Sequence, residues 1–229
     1  MNRNLKLHWR RLRNLQSMKL HGVSVNCGSD DVPRAVRSAL FKESYEAHEC
    51  ALVKREIGAS DKVLEIGTGI GLVSLVATRI CGEGNVLSCE ANPAMEQLIR
   101  KNYALNGWQP NLLMKAVTSD GRDLTFFQDN NILSSSAFER GLESKKMTVQ
   151  SAAISDLMKS HQPTVILMDV EGSEVELLPE CDLDDVKKII VEMHPHIVGA
   201  KKIEALVAQL TAQGFDLADT RHKTYLFKR

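Results

Sequence analysis

The chain has 229 residues, 43% hydrophobic and 25% charged, enough for one large α/β core and unlike a disordered or fibrous protein. Its 29 basic and 29 acidic residues balance, but residues 1–22 hold Arg3, Lys6, Arg10, Arg11, Arg13 and Lys19 with no acid, leaving 23 basic and 29 acidic residues in the rest. That mildly acidic body argues against nucleic acid as a partner, no apolar run is long enough to span a bilayer, and the N-terminus lacks the apolar stretch of a secretory signal.

Residues 1–32 read as a basic, solvated N-terminal segment, and residues 33–229 as one domain. Over 33–57 an apolar stripe at helical spacing (Ala35, Val36, Ala39, Leu40, then Ala51, Leu52, Val53) predicts a helix ended by Gly58. Lys62–Ile66 reads as a buried strand, Gly67–Gly71 as a tight turn and Leu72–Ile80 as a helix. A loop at Gly82–Asn85 leads to a second strand, Val86–Glu90. Pro93 suits the first turn of a helix running to Asn106, with Gly107 as its breaker. Leu112–Val117 is a third strand. Residues 118–151 interrupt the alternation, with strands at Thr125–Gln128 and Met147–Ser151 flanking a loop that contains Ser134–Ser136. It resumes with Thr164–Asp169, a helix, Lys188–Glu192, and a helix over 200–213 that Gly214 ends. Phe215–Leu217 and Tyr225–Phe227 read as a closing antiparallel pair. Such spacing predicts right-handed βαβ units on a mostly parallel sheet, a Rossmann-like α/β domain. Cys27, Cys50, Cys81, Cys89 and Cys181 are odd in number and form no Cys-x-x-Cys pair, which predicts reduced thiols of a cytoplasmic protein and no zinc site.

Four segments carry chemistry. Val63-Leu-Glu65-Ile-Gly67-Thr68-Gly69-Ile-Gly71 runs a buried strand into a turn whose glycines let backbone approach a ligand, while the next helix aims its N-terminal amides there. A dinucleotide fingerprint needs glycine where Leu72 stands; Gly-x-Gly-x-Gly with an acid two residues ahead suits S-adenosylmethionine. Glu90, with Ala91 beside it, ends the second strand, where an acid accepts hydrogen bonds from ribose hydroxyls. Asp169-Val-Glu171-Gly172-Ser173-Glu174 follows the fourth strand, so Asp169 and Glu171 should face the ligands, while Glu174 and Glu176 read as acids favouring a helix N-terminus. Glu192 and His194 end the fifth strand at the same cleft, where a histidine can serve as a base near neutral pH.

Together these residues resemble the FkbM family of methyltransferases over roughly residues 40–195. The matching stretches are Tyr45-Glu46-Ala-His-Glu49, the glycine turn, Ser88-Cys-Glu90-Ala-Asn-Pro93, Asn102-Tyr-Ala-Leu-Asn106, Asp169-Val-Glu-Gly-Ser-Glu174 and the Glu192/His194 strand end. Two departures are Glu65-Ile-Gly67, where many members have Asp-Val-Gly, and Thr68-Gly69-Ile70, where Ala-Asn-Ile is more usual. The resemblance implies a class I methyltransferase fold of seven strands, mostly parallel with a terminal antiparallel strand and helices on both faces. It also implies transfer of a methyl group from S-adenosylmethionine to a hydroxyl of a small molecule or sugar. Glu65, Gly67, Thr68, Gly69, Gly71, Glu90, Ala91 and Asp169 are then the expected cofactor contacts, and Asp169, Glu171 and His194 the expected catalytic groups, directly or through a divalent metal to which no residue is assigned. The 118–151 insertion would sit near the acceptor. Rival readings are an N-methyltransferase acting on protein or nucleic acid, a nicotinamide oxidoreductase, and a binding module without turnover.

Overall fold

The structure, a computed structural model, describes residues 3–128 and 145–229, with backbone alone at 125–128 and 145–147. Helix α1 (Arg3–Leu12) precedes a hairpin of β1 (Ser17–Leu20) and β2 (Val23–Asn26). His21 and Gly22 take φ of 50° and 93° in the two-residue turn, the left-handed pair that matches strand twist. None of the residues of α1 is buried, yet Met18, Leu20, Val23 and Val25 of the hairpin belong to one core cluster with the central sheet. The basic segment therefore does not stand apart from the body.

The single helix expected over 33–57 is two: α2 (Arg34–Lys42) and α3 (Ala47–Glu56). Between them Glu43 and Glu46 adopt left-handed φ of 57° and 45°. No glycine or proline marks this break. The Glu43 carboxylate is tied to Lys6 and Arg10 of α1, and Arg10 also donates to the Phe41 carbonyl, so distant contacts set the turn.

Next come β3 (Val63–Ile66), α4 (Leu72–Cys81), β4 (Val86–Cys89) and α5 (Glu96–Ala104), close to the expected bounds. The expected strand 112–117 splits into β5 (Asn111–Leu113), beside β4, and β6 (Ala116–Thr118), which leaves the sheet. Strands β7 (Leu124–Gln128) and β8 (Lys145–Val149) pair antiparallel, and β9 (Ser151–Ala153) pairs parallel with β6. The Ser134–Ser136 loop lies outside the described residues. The chain continues through α6 (Ile154–His161), β10 (Val165–Met168), the short α7 (Glu174–Leu177), β11 (Lys188–Glu192), α8 (Pro195–Val198), α9 (Ala200–Ala212), β12 (Asp216–Arg221) and β13 (Thr224–Lys228).

The main sheet has seven strands in the order β12-β13-β11-β10-β3-β4-β5. All pairings from β11 to β5 are parallel, and β13 runs antiparallel to both neighbours. Burial on both faces explains why β3 and β10 read as continuous apolar runs, broken only by Glu65. One face packs Val63, Val165, Leu167 and Ile190 against Leu52, Leu75 and Ile99 of α3, α4 and α5. The other packs Leu64, Ile66, Ile166 and Val191 against Leu157 of α6 and Leu206 and Leu210 of α9. All five cysteines are buried free thiols. No helix among the described residues is long and apolar enough to cross a membrane.

Candidate functional site

From β3 the chain moves outward through β4 to β5, then returns to lay β10 and β11 on the other side, so the order reverses between β3 and β10. Ligands of open α/β sheets bind beyond the carboxyl ends at such a reversal. Register makes the ends flush there: Ile66 pairs with Cys89 and with Met168, and Met168 with Val191. The next residues along this edge are therefore Glu90, Gly67, Asp169 and Glu192, side by side.

At Gly67 (φ 88°) the turn passes so close to β10 that a Cβ would lie 1.8 Å from the Asp169 carbonyl oxygen. Gly69 (φ 57°) passes under the Tyr45 hydroxyl, which a Cβ would meet at 3.2 Å, and Gly71 (φ 82°) caps α4. The Glu90 carboxylate accepts from the Gly69 amide through Oε2 and from the Asn92 amide through Oε1, both at 2.8 Å, which pins the turn to the end of β4. The amides of Ala91 and Thr68 also bond this carboxylate. Burial raises the Glu90 pKa, against the pull of those amides. Ala91 follows, packed against Ala116 and Val149.

Glu65 and Thr68 lie beneath the turn, 3% and 2% exposed. The Thr68 hydroxyl donates to Glu65 Oε2 at 2.8 Å. Burial pushes Glu65 up to about 7, against its hydroxyl donors. Beside it a cleft is lined by Glu46, Glu49, Glu65, Gly67, Asp169, Glu192 and Thr224, among others. Burial, with Asp169, Glu49 and Glu65 close by, raises Glu46 well above the usual carboxylate range, although Tyr45 opposes this.

Across the cleft, His194 is 2% exposed and surrounded by acids. Its Nε2 lies 3.6 Å from Asp169 Oδ1, 3.7 Å from Glu171 Oε2 and 3.7 Å from Glu192 Oε1, while Nδ1 lies 3.4 Å from Glu174 Oε1. Glu174, fully buried, also accepts the His194 and Gly172 amides at 2.7 Å each. One carboxylate thus holds the Asp169–Gly172 turn, with Glu171 at φ 51°, against the end of β11. Burial works against an imidazolium, but Glu174, Asp169 and Glu171 outweigh it and raise the His194 pKa. Asp169 is raised by burial, then by Glu192, with Glu171 and Glu49 adding to it and His194 opposing. Its Oδ1 is a shielded atom with no hydrogen-bond partner among the described residues, although 42% of the side chain is open. Asp169, Glu192 and His194 offer one ligand atom each, all within 4.8 Å of one another.

The structure thus gathers Gly67, Gly69, Gly71, Glu90, Asp169, Glu171 and His194 at one edge. Glu65 and Thr68 support the turn from below. The sequence assigned no site role to Glu46, whose turn looked like mid-helix, and read Glu174 as a helix-start acid, because no local pattern reveals its burial. The left-handed Glu46, absent from any helical reading, is the observation that draws attention to it.

The model of the methyltransferase FkbM domain matches residues 56–217. Among solved structures, the chain is similar to an FkbM methyltransferase from Methylobacillus flagellatus, at 13% identity and a TM-score of 0.53, covering 99% of this chain and 59% of that one. It is also similar to the ribosomal protein L11 methylase of Lactobacillus delbrueckii subsp. bulgaricus, at 14% identity and a TM-score of 0.50, covering 81% and 77% of the two chains. At these identities the likeness is one of fold, the Rossmann-like methyltransferase fold. No curated protein matches the chain.

Proposed function

The chain belongs to the FkbM methyltransferase family, and from that premise we propose that it methylates a hydroxyl of a small-molecule or sugar acceptor, with S-adenosylmethionine as donor. The observation that carries this reading is the flush carboxyl edge, where the glycine turn and Glu90 stand on one side of the strand-order reversal and the Asp169–Glu171–His194 cluster on the other.

The residues fit the donor. Gly69 leaves a cradle that a side chain would fill, the α4 amides behind it suit a carboxylate, and Glu90 stands at the strand end where an acid meets ribose hydroxyls. Ala91 adds apolar surface beside the ribose position. Glu65 and Thr68 fix the turn, and the acids beside it compensate a cationic ligand. When bound, S-adenosylmethionine supplies a methyl group already activated by its sulfonium, so much of the acceleration is positional. The protein's remaining task is to orient the acceptor and take its hydroxyl proton, which falls to Asp169, Glu171 and His194. The 118–151 insertion would border the acceptor.

Calorimetric titration with S-adenosylhomocysteine, beside NAD and NADP, tests the reading. S-adenosylhomocysteine alone should bind at micromolar or tighter Kd, and Glu90→Ala should weaken it at least tenfold while leaving a cooperative melt. Binding of NAD, or of no cofactor, would overturn it.

A further inference from the structure

Resting on the reading above, we propose that Asp169, Glu192 and His194 form a divalent-cation site at the acceptor side of the cleft. The spacing around His194 Nε2 is the starting point. Its carboxylate neighbours stand at 3.6 and 3.7 Å, beyond hydrogen-bond reach. Donor atoms about 2.0–2.2 Å from one ion stand roughly 3–3.6 Å apart, so the contacts at Nε2 lie close to the spacing of groups that share a cation, and small side-chain shifts would bring all three atoms to it. The three ligand atoms come from neighbouring strand ends, β10 and β11, and lie within 4.8 Å of one another.

An independent observation comes from the imidazole itself. The His194 side chain is 3% exposed, and its Nε2, the nitrogen turned into the cluster, faces three carboxylates none of which is within hydrogen-bond distance. Asp169 Oδ1, on the facing side, is shielded and has no hydrogen-bond partner among the described residues. A nearly buried ring aimed at three carboxylates, with Glu174 Oε1 behind its other nitrogen at 3.4 Å, has the arrangement of a metal-bound histidine backed by a carboxylate. Charge points the same way. The base seen near these acids, Lys223, reaches Glu192 only at 3.9 Å. Two carboxylates and one imidazole suit a borderline or hard ion such as Mn²⁺ or Mg²⁺ and leave coordination positions open toward the cleft. An ion there would lower the pKa of an acceptor hydroxyl brought to it, so that the O–H bond breaks toward the nearby Glu171 carboxylate, which takes the proton.

The test uses the full chain freed of metal by chelation, with Mn²⁺ as probe. Electron paramagnetic resonance should show one Mn²⁺ taken up per chain, and Mn²⁺ should raise the melting temperature. Glu192→Gln and Asp169→Asn, near-isosteric changes, should each weaken uptake at least tenfold and remove the melting shift. Uptake that is absent at millimolar Mn²⁺, or unchanged in both variants, overturns the site. S-adenosylhomocysteine binding, measured on the same metal-free protein, separates the two readings: its loss sinks the methyltransferase pocket, whereas loss of Mn²⁺ uptake alone sinks only the cation site.

Discussion

Glu65 is an acid placed by strand alternation where an apolar residue belongs. Val63 faces the α3–α4 side of the sheet, so Glu65, two residues on, faces it too, and only 3% of it is exposed. Burial lifts its pKa from 4.5 to about 7. The folded state therefore holds the proton more tightly than the unfolded one. The resulting stability is fully present below pH 4.5 and is lost as pH rises through about 7. Glu65→Gln keeps the size and an acceptor for the Thr68 hydroxyl but cannot ionise. The variant should exceed the parent by about 3 kcal/mol at pH 8 and nearly match it at pH 4.5. Urea denaturation at the two pH values checks this, and a gain that is the same at both would mean that Glu65 does not titrate with folding. Retaining an ionisable group at such a cost is intelligible if the negative charge under the glycine turn serves a cationic ligand.

At the scale of elements, the turn after β3 is fixed by backbone approach. Gly67 brings the chain against the Asp169 carbonyl, and that oxygen is backbone just beyond the end of β10, so no side-chain rotation can make room. Gly67→Ala should therefore cost at least about 3 kcal/mol, well beyond the penalty of positive φ alone. Chemical denaturation gives the value, and a loss below 1 kcal/mol would show that β3 and β10 separate easily. The need for glycine here was legible in the sequence, as room for a ligand or a positive φ, whereas the close approach to the Asp169 carbonyl was not, because it depends on which strand lies beside β3. The alternating strands and helices from Val63 to Lys228 were legible too, since period and punctuation are local. The break between α2 and α3 was not: Glu43 turns because Lys6 and Arg10 hold it, and those residues are more than thirty positions away. The departure of β6 from β5 was equally hidden, since both halves of Leu112–Val117 are strand and only their partners differ. Glu174 was read from its place at a helix start, whereas its role follows from burial against His194, which emerges only once β10 and β11 lie side by side.

For the molecule as a whole, the question is what the basic N-terminal segment contributes to a site on the far side of the sequence. The helix and the hairpin answer differently. Helix α1 has no fully buried residue, packs only the partly buried Leu7 against the core, and is held by partly exposed ion pairs to Glu43, each worth about 1 kcal/mol or less. The hairpin inserts Val23 and Val25, 1% and 0% exposed, and its Asn26 amide donates to Asn102 Oδ1 at 2.7 Å. The same Asn102 side chain donates through Nδ2 to the Ile70 carbonyl, inside the glycine turn, at 2.8 Å. Asn106, one turn later, bonds both to the Ser24 amide and to its carbonyl. A continuous path of buried contacts therefore joins the hairpin, α5 and the backbone proposed to carry the donor, and it gives the Asn102-to-Asn106 stretch a physical role that spacing alone did not disclose. Removing residues 1–13 should lower stability by about 1 kcal/mol and leave S-adenosylhomocysteine binding within threefold. Removing residues 1–26 strips the buried valines and leaves Asn102 Oδ1 without its Asn26 donor, at a cost of several kcal/mol. That truncation should melt at least 10 °C lower or without cooperativity, and any folded fraction should bind S-adenosylhomocysteine at least tenfold more weakly. Equal melting and binding in the two truncations would mean that the hairpin rests on the domain without holding its glycine turn.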